Sequence, residues 1–207
     1  MTASSVIDDS LVQAPIALNL GALLPWDAER FYLFCQANRE LRIERDARGK
    51  VIVMAPTGAQ SSAANADLTM QLRLWALKDG SGVVFDSSGG FTLPNGAMRS
   101  PDVSWVRRSR LARLTAQQRA RFLPLCPDFV IELRSPTDRV ADLQDKMTEY
   151  MANGASSGLL IDPLARNLYL YHPGGLQATL RSPATWMADA VMPGLTLDLA
   201  GIWEPGW

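Results

Sequence analysis

Residues that usually bind zinc or serve as catalytic bases are scarce in this chain. It has one histidine, His172, and two cysteines, Cys35 and Cys126, which stand far apart in the sequence. With a single histidine and no close cysteine spacing, zinc sites and triads of the serine-hydrolase type are poorly supplied. The two thiols are therefore expected to be free and reduced, with a role in packing.

Long apolar runs and an excess of either charge are also missing. No stretch approaches transmembrane length, and Met1–Ser10 lacks the positive start and apolar core of a signal peptide, so we expect a soluble cytoplasmic protein without a membrane partner. The formal net charge of −1 gives no overall attraction to polyanions, so a nucleic-acid contact requires a local basic patch. The 207 residues fit one domain, expected at residues 25–207 after an extended or poorly ordered arm at residues 1–24.

The hydrophobic pattern predicts helices and strands in alternation. A helix is expected after Pro25, a hairpin at 41–54, and a second helix from Ser61 or Ser62 to about Lys78. Short edge strands at 83–85 and 90–93 precede strands at 103–106 and 129–133. A helix from about Val140 to Ala152, paired strands at 158–162 and 167–171, and short peripheral pieces complete the chain. This order predicts an α/β or α+β fold with a mixed sheet.

An acidic residue interrupts the apolar strand at 129–133. Glu132 lies between Ile131 and Leu133, where neither pattern nor propensity favours a charge. By strand alternation, Glu132 shares one face with Val130 and Arg134. A buried carboxylate must be paired, protonated or bound to a cation, so Glu132 marks a candidate functional site.

Three charged residues of the predicted sheet and its helix suit a metal-assisted hydrolase. Asp102 begins one predicted strand, Glu132 lies in another, and Lys146 borders the apolar face of the following helix. Magnesium is usually held by one or two carboxylates together with waters and phosphate oxygens. A bound metal activates water, and a lysine stabilises developing negative charge. Two alternatives stay open for Lys146, which either extends into solvent or projects along the sheet toward Glu132. A separate alternative is that Glu132 pairs with Arg134 or another arginine.

A cluster of arginines follows the strand at 103–106. A solvated helical face is the default interpretation, and a contact with the DNA backbone is the alternative. The segment is expected to form a loop and a short helix. Its six arginines are Arg107, Arg108, Arg110, Arg113, Arg119 and Arg121.

Many short motifs occur in the order found in one family of nucleases. The sequence resembles the Uma2 family, which is similar to the restriction-endonuclease, or PD-(D/E)XK, superfamily. The resemblance covers most of residues 26–172 and implies a restriction-endonuclease-like mixed β-sheet flanked by helices. The segments that carry it are Glu44, Met54–Gly58, Val84–Ser88, Leu93–Gly96, Arg99–Asp102, Pro127–Pro136, Lys146 with Tyr150, and Leu160–Pro163.

The resemblance also implies roles for individual residues. Asp102 and Glu132 resemble the acidic metal ligands of the superfamily, with the Leu133 carbonyl completing the coordination. Glu44 resembles an acidic residue that the superfamily contributes from an early element. The resemblance implies that Glu44 takes part in both metal binding and catalysis. Arg134 stands where the superfamily has a lysine; it can stabilise a phosphate but cannot act as a base. Lys146 is the expected replacement.

One further residue of the family pattern is missing. Many relatives carry a histidine early in the helix after the Pro-Thr-Gly segment, and this chain has Gln60 and Asn65 in that neighbourhood. Any role of that histidine is therefore absent here.

The resemblance leads to two expectations about function. The first is an endonuclease that depends on Mg²⁺, with Mn²⁺ as a substitute, and cleaves DNA in preference to RNA. The alternative is an inactive nuclease-fold module that binds nucleic acid or a protein partner. A homodimer is expected, because restriction-like enzymes commonly pair to cut two strands. Apolar residues near the C-terminus either pack on the core or form the subunit interface: Trp186, Met187, Trp203 and Trp207.

Overall fold

The computed structural model describes residues 16–19, 27–188 and 190–206. Its strands are β1 (Ile16–Asn19), β2 (Arg42–Arg45), β3 (Lys50–Met54), β4 (Gly82–Asp86), β5 (Phe91–Thr92), β6 (Met98–Arg99), β7 (Val103–Arg107), β8 (Phe129–Leu133), β9 (Ser157–Asp162), β10 (Asn167–His172), β11 (Gly175–Arg181), β12 (Thr185–Met187) and β13 (Thr196–Asp198). Its helices are α1 (Ala28–Ala37), α2 (Ala59–Asp79), α3 (Arg108–Leu111), α4 (Ala116–Arg119), α5 (Val140–Ala152) and α6 (Ala200–Trp203).

The main sheet has six strands in the order β11-β10-β9-β8-β7-β4. Its neighbours are antiparallel except for β8 and β9, which are parallel. Parallel neighbours need a crossover connection, and α5 supplies it. The predicted mixed sheet flanked by helices is therefore confirmed.

A second sheet has the order β1-β3-β2-β6-β5 and contains the predicted hairpin, in which β2 and β3 pair antiparallel. The two short strands β4 and β5, predicted as edges of one sheet, are edges of two different sheets. Within the segment predicted as an arm, residues 16–19 form β1, which pairs with β3. The other residues of that segment lie outside the described part of the chain, so the division at residue 24 stays a prediction.

Strand β8 runs through the middle of the main sheet with all five residues buried. Phe129, Ile131 and Leu133 belong to the core cluster that includes Leu68 of α2. Val130 belongs to the cluster on the other face, with Met147 and Tyr150 of α5. The predicted alternation is confirmed, and it directs Glu132 toward α5.

Helix α2 begins earlier than the pattern predicts. Gly58 is its N-cap and makes no side-chain capping bond, so the prediction that Ser61 or Ser62 caps the helix is wrong. Capping statistics favour serine over glycine, but the helix extends through both serines to Ala59. Leu68 and Leu72 are fully buried, as the predicted apolar stripe requires.

Helix α5 has the predicted bounds, with Asn153 at its C-cap. It packs closely on the sheet because β9 has a glycine beneath it. A Cβ on Gly158 would lie 2.5 Å from the Cε atom of Met147 and 3.0 Å from that of Met151. The glycine therefore allows the close approach of α5 to the sheet, and that approach carries Lys146 toward β8.

The C-terminal segment does more than add peripheral pieces. Strand β11 extends the main sheet by pairing with β10, and the pattern did not predict it. Trp186 and Trp203 pack on the core, as the first of the two alternatives predicts, and do not form an exposed surface for a subunit interface. Met187 is exposed, and Trp207 lies outside the described residues.

Both cysteines are free, as expected. Burial raises the pKa of Cys35 to about 11 and that of Cys126 to about 12, which keeps both thiols protonated and unreactive at neutral pH. In the described part of the chain, no helix combines the length and the apolar character needed to cross a membrane.

Candidate active site

Asp102 and Glu132 lie across from each other where β7 begins and β8 ends. Val103 pairs with Ile131 in the antiparallel ladder, so one further step places Asp102 opposite Glu132 on the same face. Both carboxylates are buried, with 8% and 3% of their surface exposed. Two residues separated by 30 positions in sequence therefore form a compact acidic pair.

The contacts of Asp102 orient it toward the end of β8. Its Oδ2 atom accepts a hydrogen bond from the backbone N–H of Leu133 at 2.9 Å. Burial raises the pKa of Asp102, although this bond and the charge of Lys146 oppose the shift. In an extended strand the N–H and C=O of one residue point to the same side. The carbonyl of Leu133 is therefore directed toward Asp102.

The ammonium group of Lys146 lies inside the site. Its Nζ atom is 2.8 Å from Oε1 of Glu44 and 2.9 Å from Oε1 of Glu132, and only 11% of the side chain is exposed. The two carboxylates raise the pKa of Lys146 despite the opposing effect of burial, so it stays protonated at neutral pH. Of the two alternatives for this residue, extension into solvent is excluded.

Glu44 reaches the site from β2, in the second sheet, with both carboxylate oxygens occupied. Oε1 accepts from the N–H of Ser100 and from Lys146, each at 2.8 Å, and Oε2 lies 3.2 Å from Nη1 of Arg99. Burial acts to raise the pKa of Glu44, but the cations Lys146 and Arg99 lower it overall. Glu44 therefore holds Lys146 in place, and its predicted role as a metal ligand stays a prediction.

Glu132 keeps a raised pKa although it is paired with Lys146. Its Oε1 atom accepts from the hydroxyl of Tyr150 and from Lys146, each at 2.9 Å. Burial raises its pKa to about 7; Lys146 opposes the shift, and the negative charges of Asp102 and Glu44 add to it. Glu132 therefore pairs with a lysine, and the predicted alternative of a pair with Arg134 is wrong.

Arg134 is held away from the acidic pair. Its Nη1 atom donates to both carboxylate oxygens of Asp162 at 3.0–3.1 Å, and its Nε donates to the carbonyl of Asp138. These bonds fix the guanidinium at the ends of β8 and β9. Arg134 shares a strand face with Glu132 by sequence, but Asp162 takes its charge, and the described contacts give it no part in the site.

The donor set fits a small oxygen-seeking cation in part. Among the described residues, no group of three or more His, Cys, Asp or Glu side chains is arranged to hold a metal ion. Two carboxylates and a carbonyl converge, however: Asp102, Glu132 and Leu133. The bonds described for Glu132 fall on one oxygen, Oε1. Magnesium is satisfied by one or two carboxylates with waters and substrate oxygens, so this pair fits Mg²⁺.

Asn65 is a polar residue of the site whose position the pattern did not reveal. It projects from α2, and its Nδ2 atom lies 3.4 Å from Oδ1 of Asp102. Its Oδ1 atom is buried without a hydrogen-bond partner in the described structure. The signal in the sequence was an amide where relatives carry a histidine.

Two other partners of the site were also missed. Arg99 links Glu44 to Glu149, whose Oε2 atom lies 2.6 Å from its Nε. Tyr150, fully buried on α5, donates to Glu132. Neither role follows from periodicity, because each depends on which strand faces α5.

The segment 107–121 begins at the end of β7 opposite Asp102 and forms two short helices instead of one: α3 carries Arg108 and Arg110, and α4 carries Arg119. Arg107 and Arg110 pair with Asp128, and Arg121 pairs with Glu29. Half of the cluster therefore neutralises acidic residues. A contact between this cluster and the DNA backbone stays a prediction.

Comparisons with known proteins agree with this architecture. A crystal structure described as a putative nuclease belonging to DUF820, from Anabaena variabilis, superimposes with a TM-score of 0.67. The two chains are 18% identical, and the match covers 79% of this chain and 90% of the other. No curated protein sequence matches this chain at a significant level. Residues 28–200 match the model of the Uma2 family, described as "Putative restriction endonuclease". The chain belongs to the Uma2 family and has a restriction-endonuclease-like fold.

Proposed function

We propose that this protein is a Mg²⁺-dependent endonuclease that hydrolyses phosphodiester bonds, with DNA as the preferred substrate and Mn²⁺ able to replace Mg²⁺. The family and the fold support a hydrolase that acts on nucleic acid. The observation that carries the proposal is the buried pair of Asp102 and Glu132 with Lys146 2.9 Å from Glu132. A structural salt bridge alone does not require two neighbouring carboxylates with raised pKa values.

Each residue of the site has a separate task. Asp102, Glu132 and the Leu133 carbonyl would hold the cation, which supplies Lewis-acid activation of water and of the phosphate when bound. Glu132 must be ionised for this, and its pKa of about 7 allows that near neutral pH. Lys146 keeps its proton and stabilises negative charge at the phosphate. Glu44 positions Lys146 through their 2.8 Å contact.

The expected homodimer is a separate part of this proposal, based on the resemblance to restriction-like enzymes, which commonly pair. Sedimentation at micromolar concentration tests it. A species of monomer mass alone would contradict the dimer without affecting the assignment of Asp102 and Glu132.

Cleavage assays with matched variants test the activity. Purified protein is incubated with single-stranded DNA, duplex DNA and RNA in Mg²⁺, Mn²⁺ or EDTA. We expect cleavage of DNA with either metal, and loss of cleavage in Asp102→Asn and Glu132→Gln. Asp145→Asn is the control, because Asp145 is exposed on α5 next to Lys146. Thermal melting verifies that each variant is folded. Cleavage that survives both site substitutions would refute the proposal.

One observation favours the alternative of an inactive nucleic-acid-binding module. The Nζ atom of Lys146 lies between the carboxylates of Glu44 and Glu132, where it compensates their charge without a metal. A site neutralised in this way binds nucleic acid without turning it over. Metal-independent binding with no cleavage product after prolonged incubation with Mn²⁺ would support this alternative over the enzyme.

A further inference from the structure

A pocket opens beside the acidic pair, and we call it the side pocket. It lies among α1, the β2–β3 hairpin and the loop after β4, and its volume is about 490 Å³. Small-molecule sites typically measure about 300–1,000 Å³. Two lining residues also contact the acidic site: Arg42 lies 3.7 Å from Asp102, and Ser100 donates its N–H to Glu44. A molecule in the side pocket therefore lies next to the candidate active site.

The lining combines positive charge with an apolar wall. Arg39 and Arg42 contribute guanidinium groups, whereas Phe122, Met54 and Ile43 contribute apolar surface. Guanidinium groups bind phosphate through charge-assisted hydrogen bonds, and bases of any sequence stack on aromatic rings. A nucleotide offers both groups at once. A bare anion leaves the apolar wall uncovered, and an apolar ligand leaves the arginines unpaired.

Arg42 has hydrogen-bonding capacity that the protein does not use. Its Nε atom is buried with no hydrogen-bond partner among the described residues. Its distance of 3.7 Å from Asp102 is longer than a hydrogen bond. Arginine carries five N–H donors in a rigid fork that matches phosphate oxygens. The side chain of Arg42 is 33% exposed and lines the side pocket, so its terminal Nη groups are available to a phosphate there.

From these contacts, and resting on the nuclease function proposed above, we propose that the side pocket holds one unstacked nucleotide beside the scissile phosphate, so that the substrate is single-stranded nucleic acid. Arg42 contacts the phosphate, and the base packs against Phe122. In a duplex the base is paired and stacked, and it must be flipped out before it enters such a pocket. A single strand presents its bases without that cost, so we expect the side pocket to select it.

Binding measured without metal tests this proposal independently of cleavage. Fluorescence anisotropy follows a labelled oligothymidylate and a labelled duplex of the same length, each with full-length protein in EDTA. We expect the single strand to bind at least about tenfold more tightly than the duplex, because flipping a base opposes duplex binding. We also expect unlabelled dTMP to displace the oligomer more effectively than 2-deoxyribose 5-phosphate does, because only dTMP carries a base.

Substitutions locate the binding. Arg42→Met removes the guanidinium and keeps the stem, and Phe122→Leu removes the ring and keeps an apolar residue; each should weaken single-strand binding about tenfold. Arg113→Met is the control, because it makes the same change on an exposed residue at the other end of β7. It should change the affinity less than about twofold. If thermal melting shows that Phe122→Leu is unfolded, the proposal is decided by the affinity of Arg42→Met and by the competition with dTMP.

Several outcomes would overturn the proposal. Equal affinity for single strand and duplex would exclude an unstacked nucleotide, and equal losses in Arg42→Met and Arg113→Met would assign the binding to general electrostatics. If dTMP binds as tightly as the oligomer, the side pocket is a site for free nucleotides. If neither dTMP nor the oligomer binds, the side pocket is not a nucleotide site. Single-strand binding without cleavage would refute the nuclease function and keep only the preference of the side pocket for an unstacked nucleotide.

Discussion

Replacing Lys146 with methionine removes the cation between two buried carboxylates while keeping a side chain of similar length. Glu44 and Glu132 then lose ion pairs of 2.8 Å and 2.9 Å. Removing one partner of a buried ion pair costs about 3–5 kcal/mol, because the remaining charge is buried without compensation. We expect Lys146→Met to lower the free energy of unfolding by about this amount near pH 8.

The loss should shrink in mild acid. Glu132 already has a pKa of about 7, above the ordinary value of 4.5, so its ionisation costs folding energy as the pH rises through the folded pKa. Without Lys146 that pKa rises further, because the lysine is the charge that lowers it. A protonated Glu132 has no charge to compensate. The difference between wild type and variant is therefore smaller near pH 5.5 than near pH 8.

Urea unfolding followed by tryptophan fluorescence measures both quantities at the two pH values. Lys78→Met, an exposed substitution in the last turn of α2, is the control and should change the free energy of unfolding by less than about 0.5 kcal/mol. A loss below about 1 kcal/mol for Lys146→Met near pH 8, or an equal loss at both pH values, would refute the reasoning.

Three further predictions concern the same site and the packing around it. Mg²⁺ affinity should rise from about pH 6 to pH 8, because a proton must leave Glu132 (pKa about 7); calorimetry in buffers of different ionisation enthalpy measures the proton release, and a pH-independent affinity would contradict it. Tyr150→Phe removes the 2.9 Å hydrogen bond to Glu132 and should lower the free energy of unfolding, measured with urea, by about 1.5–3 kcal/mol. An unchanged urea midpoint would contradict this prediction. Gly82→Ala should lower the free energy of unfolding by at least about 1–3 kcal/mol, because the new Cβ would lie 2.0 Å from Nε1 of Trp105. Gly201→Ala is the control and should be tolerated, because its Cβ would meet nothing within 4 Å.

Local patterns predicted the elements whose apolar residues are buried. Strand β8 was predicted at its observed bounds because a run of apolar residues between polar turns is typical of a buried strand. Helix α5 was predicted because its apolar stripe and Asn153-Gly154 end coincide. Strand β11 was missed although Leu176 and Leu180 alternate with polar neighbours, because the segment after His172 was interpreted only as short peripheral pieces; both leucines are exposed, at 49% and 38%.

The composition of the acidic site was less accessible than the fold. Asp102 and Glu132 stood out because each is a carboxylate at the end of, or inside, an apolar strand. The direction of Lys146 depends on how closely α5 approaches β8, which glycine at position 158 allows. No periodicity reveals that distance. The contact of Asn65 with Asp102 likewise depends on where α2 crosses the edge of the sheet.

Arg134 illustrates why residues on one strand face do not always act together. Strand alternation predicts that Arg134 lies on the same face as Glu132. In the superfamily pattern, Arg134 occupies the position of a catalytic lysine. The neighbouring strand β9 ends in a buried aspartate, Asp162, which binds the guanidinium at 3.0 Å. Because charge-assisted hydrogen bonds to a buried carboxylate are strong, Arg134 stays with Asp162, and the cation near Glu132 comes from another element, α5.

The charge balance of the site indicates where a metal would bind. Glu44 has a lowered pKa because the positive charges of Lys146 and Arg99 outweigh the effect of its burial. Its charge is therefore compensated by the protein itself. Asp102 and Glu132 have raised pKa values, which means that the positive charge supplied by the protein does not compensate their burial. These two residues face each other across β7 and β8. A divalent cation between them would supply the missing charge, whereas a proton on Glu132 supplies it when no metal is bound. The competition between that proton and a metal is why the pH dependence of Mg²⁺ affinity reports directly on this pair.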